Sequence, residues 1–286
     1  MISLFKKLTK KNNSNNNDDT SKQNDAHGGQ SKDNKNETYV NKKLKDNKNF
    51  LNTSFKRSSD VILYELEDYC GIKALIVYID GLTNKELLNR DVIEPFITKQ
   101  RYNKSEENLK SQENYKNPNA IKRLIHVANV KETKMMHEVI DALINGDAVM
   151  FIDGLDIGFI IDLKKFDKRS VDEPNTEVVI RGSREGYVES IRVNTSLLRR
   201  RIKNPNLVFE SIKLGKQTKT DIAIAYIDGI ANQEVLEEVR RRIKKIDTDA
   251  ILESGYIEQY IEDKHFSPMS TVTNTQKPDV TAGKLL

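Results

Sequence analysis

The sequence lacks the features that are typical of a secreted protein, a zinc protein or a membrane protein. Its single cysteine, Cys70, excludes a disulfide within the chain and a zinc site built from several thiolates. Cys70 precedes an apolar segment, and we expect it to be a buried structural thiol. No apolar run approaches the ~18–20 residues that cross a bilayer. The first residues, MISLFKKLTKK, lack the apolar stretch that predicts a secretory signal.

Motifs of catalysis and of nucleic-acid recognition are also scarce. The four histidines are scattered, none of them in H-x-x-H or H-E-x-x-H, and no serine stands in G-x-S-x-G. The net charge of +4 is small for 286 residues. The basic run that starts at Arg199 lies at the predicted end of a helix, where cations are favoured without any ligand. We therefore expect no enzymatic activity, no cofactor, no metal site and no nucleic-acid partner.

What the sequence does have is an uneven distribution of apolar residues. Residues 1–50 are dominated by Asn, Lys, Asp, Ser and Gln, which cannot bury enough apolar surface to offset the entropy of ordering, so we predict a disordered leader. A helix is predicted over residues 54–69. A charged stretch around Pro174 then divides the remainder, which predicts one subdomain over 51–168 and a second over 169–286.

One short pattern occurs twice. VYIDGLTNKELL begins at Val77 and AYIDGIANQEVL begins at Ala225, and each reads as an apolar strand, an Asp-Gly corner and a helix. In the first copy Thr83 and Glu86 have the spacing of a capping box. The two copies are 148 residues apart, a domain-sized spacing that is far too long for a solenoid repeat.

A shorter echo, FIDG at residues 151–154, stands between two apolar runs and predicts a β-hairpin. Helical periodicity after residue 186 and after Gly229 surrounds further short apolar strands. After Pro268 we expect an irregular segment. Together these patterns predict an α/β fold of two α/β subdomains, each with a small mixed sheet flanked by helices.

Asp80 and Asp228 end predicted strands, where open α/β sheets place ligand sites. In the first interpretation, Asp80–Gly81 and Asp228–Gly229 are structural turns, in which the aspartate also helps to cap the next helix. In the second, a strand-end aspartate holds Mg²⁺ or accepts a phosphoryl group in a nucleotide- or phosphate-binding enzyme. That chemistry needs a second carboxylate or a lysine close by, and the sequence around Asp80 offers no evident acidic partner. We favour the structural interpretation.

The motif RGSREG combines glycines and arginines just before a helix that is predicted to start at Tyr187. It lacks the P-loop lysine and the G-x-G-x-x-G spacing, so it is a weak phosphate motif. We predict instead an inter-subdomain or interaction loop. Its arginines would pair with acidic residues of the linker, such as Asp172 and Glu173, or of the first subdomain, and would set the angle between the two halves. The candidate residues are Arg181, Gly182, Arg184, Glu185 and Gly186.

Three long segments carry a resemblance to a known family: TEVVIRGSREGYVESIRVNTSLLRRRI from Thr176, the stretch 219–263, and FSPMSTVTNTQKPDV from Phe266. They resemble the amino-terminal part of the A subunit of the nutrient-germinant receptors, the spore germination proteins of endospore-forming bacteria. The resemblance extends from about residue 54 to the end. The sequence departs from the family pattern at Ser183, where a proline is expected.

The resemblance implies a non-enzymatic receptor subunit that takes part in nutrient-triggered germination. It implies a location on the cytoplasmic face of the inner spore membrane, with a multi-helix membrane domain that follows the α/β region. The implied partners are a transporter-like B subunit and a lipoprotein C subunit, and a homo-oligomer through the A subunit is a further expectation. We therefore expect the present chain to be a segment of a longer protein, and no ligand is specified for it.

Overall fold

The structure is a computed structural model of an α/β protein whose described strands pair in an antiparallel manner. The α/β class with small sheets is confirmed, although the sheets are antiparallel and not mixed. The predicted boundary at residues 168–169, Cys70 and the linker around Pro174 lie outside the described residues. The structure describes residues 2–4, 38–67, 72–98, 117–165, 177, 181–263 and 272–286.

The first half, residues 38–165, is built on a five-stranded sheet with the strand order β2-β3-β5-β6-β4. A separate short strand, β1 (Ile2–Leu4), precedes it in the chain. The other elements of this half are α1 (Leu44–Ser54), β2 (Val61–Glu67), β3 (Lys73–Ile79), α2 (Lys85–Leu88), a π-helical turn (Asn89–Ile93), α3 (Glu94–Thr98), α4 (Pro118–Leu124), β4 (Val130–Thr133), α5 (Met136–Ile144), β5 (Ala148–Ile152) and β6 (Gly158–Ile161).

Strand β3 is buried on both faces, as its continuous apolar run predicts. One face, with Leu75 and Val77, packs in a core with residues of α1 and α5. The other face, with Ala74 and Ile76, packs in a second core with residues of the helical segment 85–98 and of α4. The sheet therefore lies between two layers of helices. The hairpin predicted around residues 151–154 is confirmed, because it joins β5 to β6.

The end predicted for the leader is wrong, while most of the predicted leader, residues 5–37, lies outside the described residues. The predicted leader reaches residue 50, but α1 begins at Leu44, and Val40 and Asn47 are buried. Asn47 is polar yet satisfied, because its side chain accepts from the amide of Asn41 at 2.8 Å and donates to the carbonyl of Asn41 at 2.7 Å. Strand β1 also lies within the predicted leader and pairs with a strand near the end of the chain.

The helix predicted over residues 54–69 is also wrong, because residues 61–67 form β2. This strand pairs with β3 along its whole length, from Val61 opposite Ile79 to Glu67 opposite Lys73. Pairing with the mostly apolar strand β3 outweighs the helical spacing of the apolar residues in this segment.

The described elements of the second half, residues 177–286, are α6 (Ile191–Arg201), β7 (Leu207–Leu214), β8 (Thr220–Ile227), α7 (Gln233–Lys244), α8 (Ser254–Ile261), β9 (Val272–Asn274) and α9 (Pro278–Leu285). Among the described residues, this half is built on one hairpin, formed by β7 and β8. One face of the hairpin packs against α6 and α9, and the other packs against α7 and α8. Strand β9 pairs with β1 and not with the hairpin.

Two boundaries in this half differ from those predicted. The helix expected from Tyr187 begins at Ile191, because the side chain of Asn194 accepts from the amide of Val188 at 2.9 Å and donates to its carbonyl at 2.6 Å. Those two bonds hold the preceding residues in an extended conformation. The segment after Pro268, expected to be irregular, contains α9, which starts with proline at a position where a missing amide costs nothing.

The sequence repeat corresponds to a repeated structure. In both halves a hairpin ends at an aspartate, a glycine with positive φ follows, and an asparagine then caps a helix. Asn84 accepts from the amides of the second and third residues after it at 3.1 and 3.2 Å, and Asn232 does the same at 2.9 and 3.3 Å. The capping box expected from Thr83 is therefore wrong. Its hydroxyl donates to the carbonyl of Gly146 at 3.0 Å instead.

Candidate functional site

The two halves meet around an ion pair that is shielded from solvent. The guanidinium of Arg199, on α6, donates from Nε to Oδ2 of Asp60 at 2.8 Å and from Nη2 to Oδ1 at 3.0 Å. The two side chains are 0% and 1% exposed. A charge pair buried to this extent is costly to desolvate, and it is tolerated only where the geometry is good and the remaining polar atoms are satisfied.

The remaining polar atoms of this pair are indeed satisfied. Ser58 donates from Oγ to Oδ1 of Asp60 at 2.6 Å, and the same Oγ accepts from Arg199 at 3.1 Å and from the amide of Phe209 at 2.8 Å. Arg199 also donates from Nη1 to the carbonyl of Asn204 at 3.2 Å. Its guanidinium carbon lies 5.2 Å from the centre of the Phe209 ring, within range of a cation–π interaction. The network therefore joins the start of β2 to α6 and β7.

Further contacts between the halves surround this network. We call the network and these surrounding contacts the junction. The amide of Ser59 donates to the carbonyl of Phe209 at 2.8 Å, and the ammonium of Lys203 donates to the side chain of Asn145 at 2.9 Å. The junction thus combines a buried charged centre with exposed polar contacts at its rim.

Asp80, the first of the repeated aspartates, also lies at the junction. Its carboxylate is 13% exposed and is paired with Lys85 at 2.8 Å and with Arg192 of α6 at 3.5 Å. Its amide donates to the carbonyl of Asp60 at 2.8 Å. Gly81 has a φ of +91°, and a Cβ there would lie 3.0 Å from the carbonyl oxygen of Arg192 and 3.0 Å from the Cβ of Ser196. Glycine is therefore needed both for the turn and for the close approach of α6.

Asp228 and Gly229 occupy the same turn in a more open setting. The amide of Asp228 donates to the carbonyl of Asn206 at 2.9 Å, and its carboxylate lies 3.5 Å from the ammonium of Lys56 in the first half. Gly229 has a φ of +85°, and no atom of the described residues lies within 4 Å of where a Cβ would be. Within the described ranges, no three His, Cys, Asp or Glu side chains are grouped so as to hold a metal ion. The role of both aspartates as structural turns stays a prediction.

The loop at residues 181–186 contacts α6. Gly182 has a φ of +138°. Arg201, in the last turn of α6, donates to the hydroxyl of Ser183 at 2.6 Å and to the carboxylate of Glu185 at 2.5 Å. The hydroxyl of Ser183, where the family pattern has proline, also accepts from the amide of Glu185 at 3.3 Å.

This contact lies within the second half, so it does not by itself link the two halves. The acidic partners expected for Arg181 and Arg184, namely Asp172 and Glu173, lie outside the described residues. Their pairing, and the role expected for the loop with Gly186, stay predictions.

Sequence reasoning missed the central pair of the junction. The run of three arginines that contains Arg199 is explained by its place at a helix end, and Asp60 lies inside the wrongly predicted helix over residues 54–69. The position of Arg199 on its helix could have revealed the pair. Arg199 lies next to Leu198 and four residues after Thr195, and all three residues are buried. A charged residue on the inward face of an amphipathic helix indicates a buried partner.

The comparisons with known proteins agree on one family. The sequence profile of the family described as "Bacillus/Clostridium GerA spore germination protein" matches residues 49–286. The chain belongs to this family of spore germination proteins. The match covers both halves and the whole junction, including Asp60 and Arg199.

Individual relatives agree with this assignment. Spore germination protein KA of Bacillus subtilis is 39% identical over 235 residues, which are 80% of this chain and 41% of that protein. An uncharacterized membrane protein of the same species, YfkQ, is 39% identical over 243 residues, 85% of this chain and 45% of that protein. The chain thus spans less than half the length of these two relatives.

A solved structure supports the fold as well as the family. The N-terminal domain of the A subunit of the Bacillus megaterium spore germinant receptor GerK3 aligns with a TM-score of 0.59 at 29% identity, over 87% of this chain and 89% of that one. In the part of the present chain that the structure describes, no helix has both the length and the apolar character needed to cross a membrane.

Proposed function

We propose that this chain is the α/β region of a germinant-receptor A subunit, which takes part in nutrient-triggered germination by subunit assembly and by transfer of a conformational signal. The observation that carries the proposal is the buried pair of Arg199 and Asp60, found in a chain whose relatives are named spore germination proteins. The proposed role is mechanical and needs no catalysed reaction.

The buried pair suits the transfer of a displacement. To slide past each other, the halves would have to break a two-pronged hydrogen-bonded pair and leave a charge unpaired in a dry environment, which costs ~3–5 kcal/mol. Small displacements are therefore passed from one half to the other as rigid-body movement. Conformational switches commonly use such rotation of packed bodies about an interface.

A non-enzymatic role is supported by how the repeated aspartates are used. Asp80 is paired with cations from both halves, and Asp228 lies near Lys56. Neither carboxylate has a second carboxylate beside it among the described contacts, which is what metal-assisted phosphoryl chemistry requires. No observation favours the phosphate-binding enzyme.

The proposed setting follows from the family. The longer protein would carry a membrane part after this region and would lie on the cytoplasmic face of the inner spore membrane. Its proposed partners are a transporter-like B subunit, a lipoprotein C subunit and further copies of the A subunit. The loop at Arg181–Gly186 is proposed as an additional contact between the halves or with a partner.

The experiment compares spores that carry the full-length protein with spores that lack its gene. Germination is followed by the fall in optical density after nutrients are added. A third strain carries Arg199→Lys, which keeps the charge but loses the two-pronged geometry. A matched control carries Arg201→Lys, two residues further along the same helix, where the partner Glu185 belongs to the same half. Immunoblots confirm equal protein levels.

We expect the deletion strain to lose the response to at least one nutrient, Arg199→Lys to slow that response, and Arg201→Lys to resemble the wild type. If the deletion strain responds normally to every nutrient tested, the proposed function is wrong. If the deletion has a phenotype but Arg199→Lys has none, the junction does not transmit the signal.

A further inference from the structure

The second half contains a groove along one edge of its hairpin. Strand β8 pairs with β7 on one side, and no strand in the described ranges pairs with its other side. A cleft of about 600 Å³ follows that free edge over the whole strand, from Thr220 to Ile227. Unpaired edges normally attract another strand unless they are covered or blocked by charges.

The groove is walled by helices on both sides. Val235, Val239 and Ile257 of α7 and α8 form one wall, and Thr281 and Leu285 of α9 contribute to the other. The hairpin lies between these same two helical layers. A space between two helical layers, next to the edge of the sheet they cover, has the shape and apolar character that fit a further strand.

The first half shows the same place occupied. Strand β3 has β2 on one side and β5 on the other, with Leu75 opposite Phe151 and Val77 opposite Val149. The 148-residue repeat places Ala223 of β8 at the position of Leu75. Leu75 is fully buried, whereas Ala223 is half-buried.

The backbone groups of β8 that face the groove are set by the antiparallel pattern. Residues of such a strand direct their amide and carbonyl groups alternately to one neighbour and to the other. The amide of Asp228 donates to Asn206, just before β7, as the amide of Asp80 donates to Asp60, just before β2. Even-numbered residues of β8 therefore direct their backbone groups toward β7. The odd-numbered residues Asp221, Ala223 and Ala225 direct theirs into the groove.

The equivalent residues of β3 make these bonds. Residues 73, 75 and 77 correspond to 221, 223 and 225, and the carbonyl of Lys73 accepts from the amide of Asp153 just after β5 at 2.9 Å. Among the described residues, β8 therefore directs unpaired backbone groups outward along the groove, at the positions where β3 bonds to β5.

The helix that leads into β5 also has a counterpart. Before α5, the hydroxyl of Thr133 accepts from the amide of Met135 at 3.0 Å, and before α9 the hydroxyl of Thr275 accepts from the amide of Lys277 at 3.1 Å. Thr133 is the last residue of the short strand β4, and Thr275 directly follows the short strand β9. This correspondence aligns Leu286 with residue 144, four residues before β5 begins.

We propose that the groove holds an apolar β-strand, antiparallel to β8, that is supplied by the residues following α9 in the longer protein. The two relatives are more than twice as long as the stretch that they share with this chain. The matched solved structure is the N-terminal domain of its subunit, so proteins of this family have residues that follow this region. The occupant would complete in the second half the sheet that β5 and β6 complete in the first.

The test extends the chain beyond Leu286 in two ways. One extended protein carries a copy of the chain's own residues 145–161, which contain β5 and β6. The other carries the stretch of the same length that follows the matched region in spore germination protein KA. Hydrogen exchange of the amides of Asp221, Ala223 and Ala225 is measured by NMR, together with the melting temperature, in the extended and unextended proteins.

We expect exchange at these three amides to slow by at least about tenfold in one or both extended proteins, because newly paired amides are protected. The control is Ala223→Pro, which removes an amide that faces the groove and is compatible with an edge strand. It should change the unextended protein little and abolish the gain in melting temperature on extension.

Two results would overturn the proposal. In the first, both extended proteins exchange at the rate of the unextended protein. In the second, the three amides of the unextended protein become protected as its concentration rises and sedimentation shows a dimer, which would make a second copy the occupant.

Discussion

The two halves of the molecule start from the same corner and build sheets of different size. In the first half, β3 is flanked on both sides and buried between two helical layers. In the second half, β8 pairs with one strand among the residues that the structure describes, and its central residues are half-buried. A repeated strand-to-helix corner therefore determines a local turn and a helix start, whereas the size of the sheet depends on which further strands the chain supplies.

The corner itself is used differently in the two halves. Asp80 and Gly81 contact α6, whereas the carboxylate of Asp228 lies beside Lys56 and no described atom lies within 4 Å of a Cβ at Gly229. The junction therefore draws on the first copy of the corner more than on the second. The following predictions test this asymmetry.

The largest effect is expected at the buried pair. Arg199→Met leaves the carboxylate of Asp60 buried without its partner, and we expect it to lower the free energy of unfolding by ~3–5 kcal/mol, as measured by urea denaturation. The control, Arg201→Met, breaks a partly exposed pair with Glu185 and should cost at most ~1 kcal/mol. Equal losses in the two variants would contradict the central place given to Arg199.

A smaller difference in stability is expected between alanine substitutions at Gly81 and at Gly229. Gly229→Ala places a side chain in the left-handed region and should cost ~1–2 kcal/mol, with no further penalty because the surrounding space is empty. Gly81→Ala carries the same backbone cost and also brings a methyl group against Arg192 and Ser196 of α6. We expect Gly81→Ala to lose more stability in thermal melts. A larger loss for Gly229→Ala would reverse the comparison.

The smallest effect concerns one carboxylate in each half. In the second half, the guanidinium of Arg240 hydrogen-bonds Glu210 and lowers the pKa of Glu210. In the first half, burial raises the pKa of Asp147, and this outweighs the opposing hydrogen bond from Lys164. The two groups should therefore give opposite dependences of stability on pH.

The signs follow from linkage. Glu210 has a lowered folded-state pKa, so its stabilisation is complete above the ordinary glutamate pKa of ~4.3 and is lost as the pH falls through the folded value. Asp147 has a raised folded-state pKa, so its favourable contribution is complete below ~3.9 and is lost as the pH rises through the folded value. Urea denaturation from pH 3 to 7 of Glu210→Gln and Asp147→Asn, each compared with wild type, should give differences of below ~1 kcal/mol with opposite slopes. Slopes of the same sign would contradict this assignment.

Local features of the fold could be predicted from the sequence, and distant ones could not. The apolar run of β3, the Asp-Gly hairpin after β5 and the amphipathic pattern of α7 are local signals, and the structure has those elements. Strand β2 was mistaken for a helix because Ile62 and Leu66 suit either period, and only the neighbouring β3 decides between them. The family could also be identified from its long matching segments.

The candidate site depended on information that no local pattern contains. Arg199 and Asp60 are 139 residues apart, and each has an unremarkable local explanation as an exposed charge. The free edge of β8 was equally hidden, because an edge strand and a central strand of the same composition cannot be distinguished without the order of strands in the sheet.

The sequence distance between Asp60 and Arg199 affects the order of folding while the chain is being translated. Arg199 is added to the chain 139 residues after Asp60. At ~5–20 residues per second, the ribosome needs about 7–28 s to cover that distance. During that interval the first half can form its sheet and both of its cores, while the carboxylate that will become buried remains hydrated. Desolvation of Asp60 is thus postponed until α6 emerges, so the closure of the junction would be a late event that reports the arrival of the second half.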